Sequence, residues 1–570
     1  MPEKVFPFSL DGWTASRELP FPALSDEMLD RCRKYGTNEQ FLEGAVLYPR
    51  GARRVDFFIV LNGSVIIAGP DEHGVDTVVT ILRRGEFTGG LDMLADRETI
   101  VSARTGTPAD LICISHGRFL ECVTTESDIA DIVMRTLLLR RLNLMHRSQG
   151  GVALLGSSRR ADTLRIESFL SRNSYPYRLL DVEVNPEGTA MMDTFHINVE
   201  ELPVVLSKGT VLRNPSNARL ADVLGLAEDL SADVTYDLAI AGAGPAGLAA
   251  SVYAASEGLG TIVIEGNAPG GQAGTSSRIE NYLGFPSGIS GQELASRAQV
   301  QAQKFGAKLA ISRYITAIDC AQRPFILTLE GGARVRARTI VIATGARYRK
   351  LAISNLAEFE GTGIYYSATV IESRLCAANE VIVVGGGNSA GQAVLYLATS
   401  ARHVHLLIRG EELASTMSEY LMERISSSMA ITLHTETEIV ALRGDRQLQA
   451  VTWKNLRTGQ QEERPIHHVF VMIGAEPCTA WLGGCVDLDE KGFVRVVVSP
   501  KDGGCRDYET SVPGIFVVGD VRSGSVKRVA SAVGEGSVVV SAIHSYLRET
   551  ENRDSGNSST IRQALWKSEP

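Results

Sequence analysis

The sequence predicts a multidomain α/β chain: an N-terminal β-roll, a small α/β unit, then two doubly wound nucleotide-binding domains, one inserted into the other. Three observations predict it. Residues 1–148 carry short apolar runs broken by turn signals, and residues 149–230 alternate strand-like and helix-like periods. Two glycine signatures, Gly242-x-Gly244-x-x-Gly247 and Gly385-x-Gly387-x-x-Ala390, each follow an apolar run and open a helical pattern. A length of 570 residues at 44% hydrophobic content suits several globular domains rather than one. The net charge of −9 offers no basic surface for nucleic acid. No apolar run approaches the ~18–20 residues that span a bilayer. The start, Met-Pro-Glu-Lys-Val-Phe, lacks the basic and apolar regions of a secretory signal, so a cytoplasmic location is expected.

Within residues 1–148, Phe57–Leu61, Val65–Ala68 and Val78–Leu82 read as strands separated by Asn62-Gly63, Gly69-Pro70 and Arg84-Gly85. Ile129, Ile132, Val133, Leu137 and Leu138 recur at helical period before Arg140, Arg141 and Arg147. From about Gly44 to His146 the chain resembles the cyclic-nucleotide-binding domain, through VDFFIVLNGSVII and LRRGEFTGGLDML. In that family a glutamate holds the ribose hydroxyl and an arginine neutralises the phosphate. Here Gly90 and Thr99 stand at those positions, with Arg97 the nearest cation. Losing a charge-assisted hydrogen bond costs roughly 1.5–3 kcal/mol. A degenerate sensor or a packing domain is therefore expected, and no helix-turn-helix follows it.

Residues 149–230 read as strand Val152–Leu155, helix Asp162–Ser171, strand Arg178–Val184, strand Leu202–Leu206, a turn at Lys208-Gly209 and helix Asn217–Leu226. This order resembles the thioredoxin/glutaredoxin fold, with Pro203 at the proline that family holds in cis. The matching active-site loop, Ser157 to Thr163, contains no cysteine. Only a thiolate attacks a disulfide, so docking or recognition is the role left.

From Tyr236 the signal is dense. Gly242 permits a tight turn after the strand, Gly244 lets a pyrophosphate approach the backbone, and Gly247 lets helix pack on strand. Pro245 and Ala246 open that helix, whose free amides face the phosphates. Glu265, closing the run Thr261–Glu265, suits a ribose hydroxyl. Further segments follow in order: Gly270-Gly271-Gln272, Ile279–Pro286 with Asn281, Ile340–Ala346 with Ala343, Thr344 and Gly345, Phe470–Pro477 with Ile473 and Gly474, Pro513–Val521 with Asp520, and Arg528-Val529-Ala530. From about Asp237 to Leu547 the chain resembles low-molecular-weight thioredoxin reductases. The resemblance implies FAD on the residues just named outside Ile473 and Gly474, which go to the nicotinamide. It also implies a homodimer, and an NADPH domain at 349–477 inserted between FAD-domain parts 236–348 and 478–550. A flexible tail, 551–570, is expected to follow.

In the inserted domain Gly385, Gly387, Asn388, Ser389 and Ala390 form the second phosphate turn, and the next strand runs into Arg409 rather than an acid. Arginine there accommodates the NADP 2′-phosphate, whereas an acid favours NAD. Gly410 and Ala414 stand where the family has further arginines, and Glu411 and Glu412 lie close. NADPH is the expected donor.

The chemistry then has a gap. Thioredoxin reductases carry Cys-Ala-Thr-Cys-Asp; the matching residues here are Ser367, Ala368, Thr369, Val370 and Ile371. Both sulfurs and the acid are gone, so no residue is assigned to dithiol catalysis. None of the eight cysteines forms a Cys-x-x-Cys. Cys376 reads as a small buried hydrophobe, and pairing among Cys478, Cys485 and Cys505 has no support from spacing. His403 and His405 share a strand face but lack a third ligand, so no metal site is expected. The expectation is an FAD-dependent NADPH oxidoreductase with a non-dithiol acceptor. Ferredoxin or flavodoxin comes first, because thioredoxin-reductase-like flavoproteins without the dithiol include ferredoxin–NADP reductases. Quinones, small acceptors or oxygen come next. The competing readings are a thioredoxin reductase using other cysteines and a regulatory flavoprotein sensing redox state or nucleotide.

Overall fold

The computed structural model describes residues 21–565, apart from 71–74, 95–96, 147–150, 159, 208, 227–229, 231–232, 277, 414–416, 446 and 498–505. Ala414 and Cys505 thus lie outside the described residues. Two compact units form, one of Met1–Ala227, Gly274–Ser296 and Arg347–Glu476, the other of Glu228–Ala273, Arg297–Ala346 and Pro477–Pro570.

In the first unit, the alternating apolar runs pair into two antiparallel sheets. One orders Thr37–Phe41, Ala109–Ile114 and Phe57–Asn62; the other orders Val46–Tyr48, Ser102–Thr105, Val65–Pro70 and Asp76–Leu82. Phe57 anchors the core, with ring centroids 4.6 Å from Phe119 and 5.4 Å from Phe87. Helix Ser127–His146 follows.

The next module orders its strands Thr210–Arg213, Val204–Ser207, Val152–Gly156 and Arg178–Asp181, the last two parallel and the others antiparallel. Helix Ala161–Arg172 buries Ile166, Phe169 and Leu170, the spacing that puts side chains on one helical face. The Leu202–Pro203 peptide is cis. The third element is shorter than its apolar run suggests. Asp181 accepts from the amides of Ser158 and Glu183 and so ends the strand. Asn185 then caps an unforeseen helix, Pro186–Thr194, with proline in its first turn.

The remainder of this unit is a five-stranded parallel sheet ordered Ile364–Tyr365, His468–Val471, Glu380–Val384, His403–Leu407 and Ile431–His434. Its central runs are apolar on both faces, as parallel strands covered on both sides require. A three-stranded antiparallel sheet, Thr437–Gly444, Leu448–Asn455 and Gln461–Arg464, is appended.

His405 and His434 meet between these sheets, Nδ1 to Nε2 at 3.1 Å, against Trp453. His403 bonds Thr432 instead. Burial first, then His434 and His403, pull His405 down to about 4, and burial pulls His468 down to about 4. The unfolded chain takes up these protons near 6.5, so protonation favours unfolding. Stability present above about pH 6.5 is expected to drain as pH falls toward 4, by on the order of 3 kcal/mol for His405. Thermal unfolding measured from about pH 7 down to 4.5 checks this. His405→Phe should flatten the slope, and equal slopes in both proteins would refute the assignment.

The second unit is built on a sheet ordered Lys308–Ile311, Thr261–Glu265, Thr235–Ala241, Arg334–Ile342, Phe325–Leu329 and Ile315–Asp319, with Ile515–Val517 also paired to Arg334–Ile342. Helices Pro245–Ser256 and Val529–Leu565 pack together so closely that a Cβ on Gly536 would lie 2.3 Å from the Ala246 carbonyl oxygen. The closing helix continues to Leu565, through most of the expected tail. Once a helix is nucleated by its packed turns, each further residue adds a hydrogen bond at little cost. No helix among the described residues is long and apolar enough to cross a membrane.

Candidate functional site

Three strands of the second unit end at the same level. Ala241 is in register with Ile342, and Ile342 with Val517. The turns that follow, Gly242-Ala243-Gly244, Ala343-Thr344-Gly345 and Val518-Gly519-Asp520, therefore leave one edge of the sheet. Backbone bonds tie them: Ala343 N–H donates to Ala241 and Val518 N–H to Ile342, at 2.8 and 3.0 Å.

This edge fits a dinucleotide. Gly242 has φ +106, and a Cβ there would lie 2.4 Å from the Ala343 carbonyl oxygen. A Cβ on Gly247 would lie 2.0 Å from the Gly242 oxygen, whereas one on Gly244 would meet nothing within 4 Å. The middle glycine thus faces open space at the N-terminus of helix Pro245–Ser256, where phosphate is favoured. Glu265 accepts from the Ala243 amide at 2.9 Å, which sets its carboxylate beside the turn. Gly271 closes over Gly244, 3.0 Å from an ideal Cβ to its Cα. Gln272 donates to the Ala346 carbonyl at 3.2 Å, and Thr344 Oγ1 to the Cys478 carbonyl at 2.8 Å. Burial pushes the Asp520 carboxyl above its ordinary range. Arg528 and Ala530 are exposed and Val529 half-buried where the closing helix starts. Asn281 lies in the other unit, exposed.

Two positioning residues were missed. Glu535 is buried, accepts from the Gly519 amide at 2.6 Å and pairs with Arg522, which fixes the turn around Asp520. Lys527 donates to the Asp520 carbonyl. Glu535 lies two helical turns after Arg528, a spacing that could have flagged it.

In the first unit the second phosphate turn repeats the pattern. Gly385 has φ +137, and its Cβ would lie 2.2 Å from the Met472 oxygen. Gly387 caps helix Asn388–Leu397, Ser389 is exposed and Ala390 buried. Asn388 accepts from the Ser418 amide at 2.7 Å and so holds the opposite loop. Ile473 is half-buried and Gly474 exposed with φ +97, its carbonyl accepting from the Arg349 amide. Arg409, Glu411 and Glu412 are all exposed.

Ser367 is half-buried and Ala368 buried. The Thr369 amide and hydroxyl both donate to Glu372, at the start of helix Val370–Leu375. Cys376 is fully buried, donates to the Ser373 carbonyl, and burial pushes its thiol up to about 12. That thiol is inert. Cys478 stands at the nucleotide edge, its amide bonded to Gly345, but one thiol can form only a mixed disulfide.

One pairing escaped the sequence: Cys320 and Cys485 form a disulfide. Its position is fixed by register. Asp319 pairs with Ile326, Ile326 with Arg336, and Arg336 with Thr235, the first residue of the strand that ends before Gly242. Seven residues at ~3.3 Å each put the disulfide roughly 20 Å down the sheet from the glycine turn, and three strands across. It lies at the opposite end from the nucleotide edge.

The N-terminal roll holds a second candidate site. Its cavity encloses about 50 Å³ and is lined by Tyr48, Gly90, Asp92, Thr99, Arg140 and Arg141 among others. Small-molecule sites run to roughly 300 Å³ and above. Arg140 lines the space, donating to the Phe87 and Gly89 carbonyls at 2.9 Å beneath the Phe21 ring. Asp92 pairs with Arg141, both nearly buried, and Thr99 Oγ1 donates to the Pro49 carbonyl. Asp92, on the single helical turn Leu91–Met93, and a cavity this small oppose a cyclic phosphate. Calorimetry with cyclic AMP is expected to give no binding heat; a Kd below about 10 μM would contradict it.

Residues 236–536 match the family described as pyridine nucleotide-disulphide oxidoreductase, and residues 38–126 match the cyclic nucleotide-binding domain. A thioredoxin reductase of Treponema pallidum is 34% identical over 320 residues, covering 56% of this chain and 100% of that protein. NADPH-dependent thioredoxin reductase 3 of Arabidopsis thaliana is 33% identical over 357 residues, covering 59% of this chain and 65% of that protein. The solved structure of Lactococcus lactis thioredoxin reductase in its FR conformation is 29% identical at TM-score 0.51, covering 55% of this chain and 99% of that one.

Proposed function

Because the chain belongs to the pyridine nucleotide-disulphide oxidoreductase family, we propose that it carries electrons from NADPH through FAD to an acceptor that is not a disulfide, with ferredoxin or flavodoxin first. The chain is an FAD-dependent NAD(P)H oxidoreductase. One observation carries the finer reading: serine and valine stand at both dithiol positions, 367 and 370, while the one disulfide among the described residues lies far down the sheet from the glycine turn. Bound FAD supplies hydride acceptance from the nicotinamide and electron release to the acceptor.

The chain's own residues supply the rest. Gly242, Gly244, Gly247 and the helix they open hold the FAD pyrophosphate, and Glu265 the ribose. Glu535, through Gly519 and Arg522, sets Asp520 in place, and Arg528-Val529-Ala530 present the start of the closing helix. Gly385, Gly387 and Arg409 orient the NADPH phosphates. The homodimer and the cytoplasmic setting expected from the sequence belong to this reading.

The test supplies NADPH to the purified chain with oxidised ferredoxin, flavodoxin, thioredoxin or a quinone in parallel. Ferredoxin or flavodoxin should be reduced at least about 100-fold faster than thioredoxin, a barrier difference near 2.7 kcal/mol. Rapid thioredoxin reduction would defeat the proposal. Flavin that NADPH leaves oxidised under anaerobic conditions would favour the regulatory reading instead.

A further inference from the structure

We infer that the cysteine-free second module is a built-in docking partner of the nicotinamide domain, seated beside the vestigial dithiol segment and closing that face to other proteins. All the contacts that follow lie within the first unit. Ala161 opens helix Ala161–Arg172, within the segment 157–163 that matches the place where the thioredoxin fold carries its cysteines. A Cβ on Gly361 would fall 2.9 Å from the Ala161 Cβ and 3.3 Å from its Cα, so the two backbones are in direct contact. Six residues beyond Gly361 stands Ser367.

The contact extends along helix Ala161–Arg172. Glu167 is buried and accepts from the Tyr177 hydroxyl at 2.9 Å, and the charges of Arg374 and Glu372, on helix Val370–Leu375, act on it from the nicotinamide domain. At the far end the helix leaves the nicotinamide domain and meets segment Gly274–Ser296 of the same unit: the Ser171 carbonyl accepts from Gln292, and the Ser174 and Ser296 hydroxyls lie 3.3 Å apart. The roll also contacts the module. Ile100 packs into the module's core, and a Cβ on Gly225 would fall 2.7 Å from Glu98.

The helix that begins in the module's cysteine-free segment therefore meets the turn at Gly361 and faces the charges of helix Val370–Leu375, which begins in the cysteine-free dithiol segment. Neither segment can exchange thiols with the other, so this contact positions and covers but does not turn over. A buried, hydrogen-bonded carboxylate near an opposite charge suits a permanent interface better than a transient one. The inference rests on the placement of Ser367 and Val370 at the dithiol position. It does not depend on which acceptor takes the electrons.

Two variants of the full-length, flavin-loaded chain test it. Ala161→Cys combined with Gly361→Cys is expected to close an intramolecular disulfide under mild oxidation, recovered as one cross-linked peptide pair. Full recovery of both as free thiols would overturn the docking. A side chain at Gly361 strains its left-handed backbone (φ +78), so the second variant leaves that glycine alone. Ser367→Cys is mixed with an external thioredoxin whose cysteine carries a thionitrobenzoate group. The introduced thiolate attacks the thioredoxin sulfur, a mixed disulfide forms, and thionitrobenzoate leaves with the electron pair. Its release should be about tenfold faster when Ala161→Trp is added to wedge the module away, with free Ellman's reagent as the small-molecule reference. Equal thioredoxin rates in the two backgrounds overturn the closure. Rapid thioredoxin reduction by the unmodified chain would sink the acceptor reading and leave both of these results as they stand.

Discussion

Replacing Gly244 with alanine is expected to yield a folded protein that has lost its flavin, whereas Gly247→Ala is expected to lose flavin and fold stability together. The two glycines are three residues apart and do different work. A methyl group on Gly247 would lie 2.0 Å from the Gly242 oxygen. Backbone sits on backbone there, so the helix must lift off the strand, and displacements of that kind typically cost 1–3 kcal/mol or more. A methyl on Gly244 meets no protein atom within 4 Å. It projects instead into the space at the helix N-terminus that a pyrophosphate needs. Flavin affinity should fall about 100-fold or more in Gly244→Ala, equivalent to some 2.7 kcal/mol. The measurement is the flavin-to-protein absorbance ratio, alongside melting temperatures of the apoproteins. Stoichiometric flavin in Gly244→Ala would show that this edge is not the FAD site.

That contrast also explains what the sequence made legible. The glycine constraint at Gly247 is local, involving a residue five positions away, and that at Gly242 was legible through its motif although the clashing atom belongs to Ala343. The parallel sheets were readable for the same reason, since strands buried on both faces leave long apolar runs. What stayed hidden depends on distant partners. Cys320 and Cys485 are 165 residues apart and become neighbours only when an edge strand meets the returning chain. His405 was read beside His403, yet its ring partner by hydrogen bonding is His434, on the next strand and 29 residues later. Arg140 and Arg141 looked like the basic end of a helix. Burial set one against the Phe87 and Gly89 carbonyls and made the other the partner of Asp92. Helix Pro186–Thr194 was missed because its signal is a cap and a proline rather than an apolar period.

Arg409→Glu is expected to lower the preference for NADPH over NADH, expressed as the ratio of second-order rate constants for flavin reduction, by about 100-fold or more. Three effects act in the same direction. The guanidinium contact to the 2′-phosphate disappears, a loss of roughly 1.5–3 kcal/mol for a charge-assisted bond. A carboxylate in its place repels that phosphate. The same carboxylate can accept from the ribose hydroxyls of NADH, the role an acid has at this strand end. Glu411 and Glu412 act against Arg409 already, but all three side chains are exposed and water screens their mutual field. Their neutralisation by glutamine should therefore raise the NADPH preference only a few-fold. Arg409→Ala separates the terms: it should weaken NADPH by about tenfold to a hundredfold and leave NADH unchanged. Flavin reduction followed by rapid mixing, rather than turnover with an acceptor, keeps the measurement on the donor side. A ratio unmoved by Arg409→Glu would mean that the 2′-phosphate is held elsewhere, and the strand end at Leu407 would cease to define the donor.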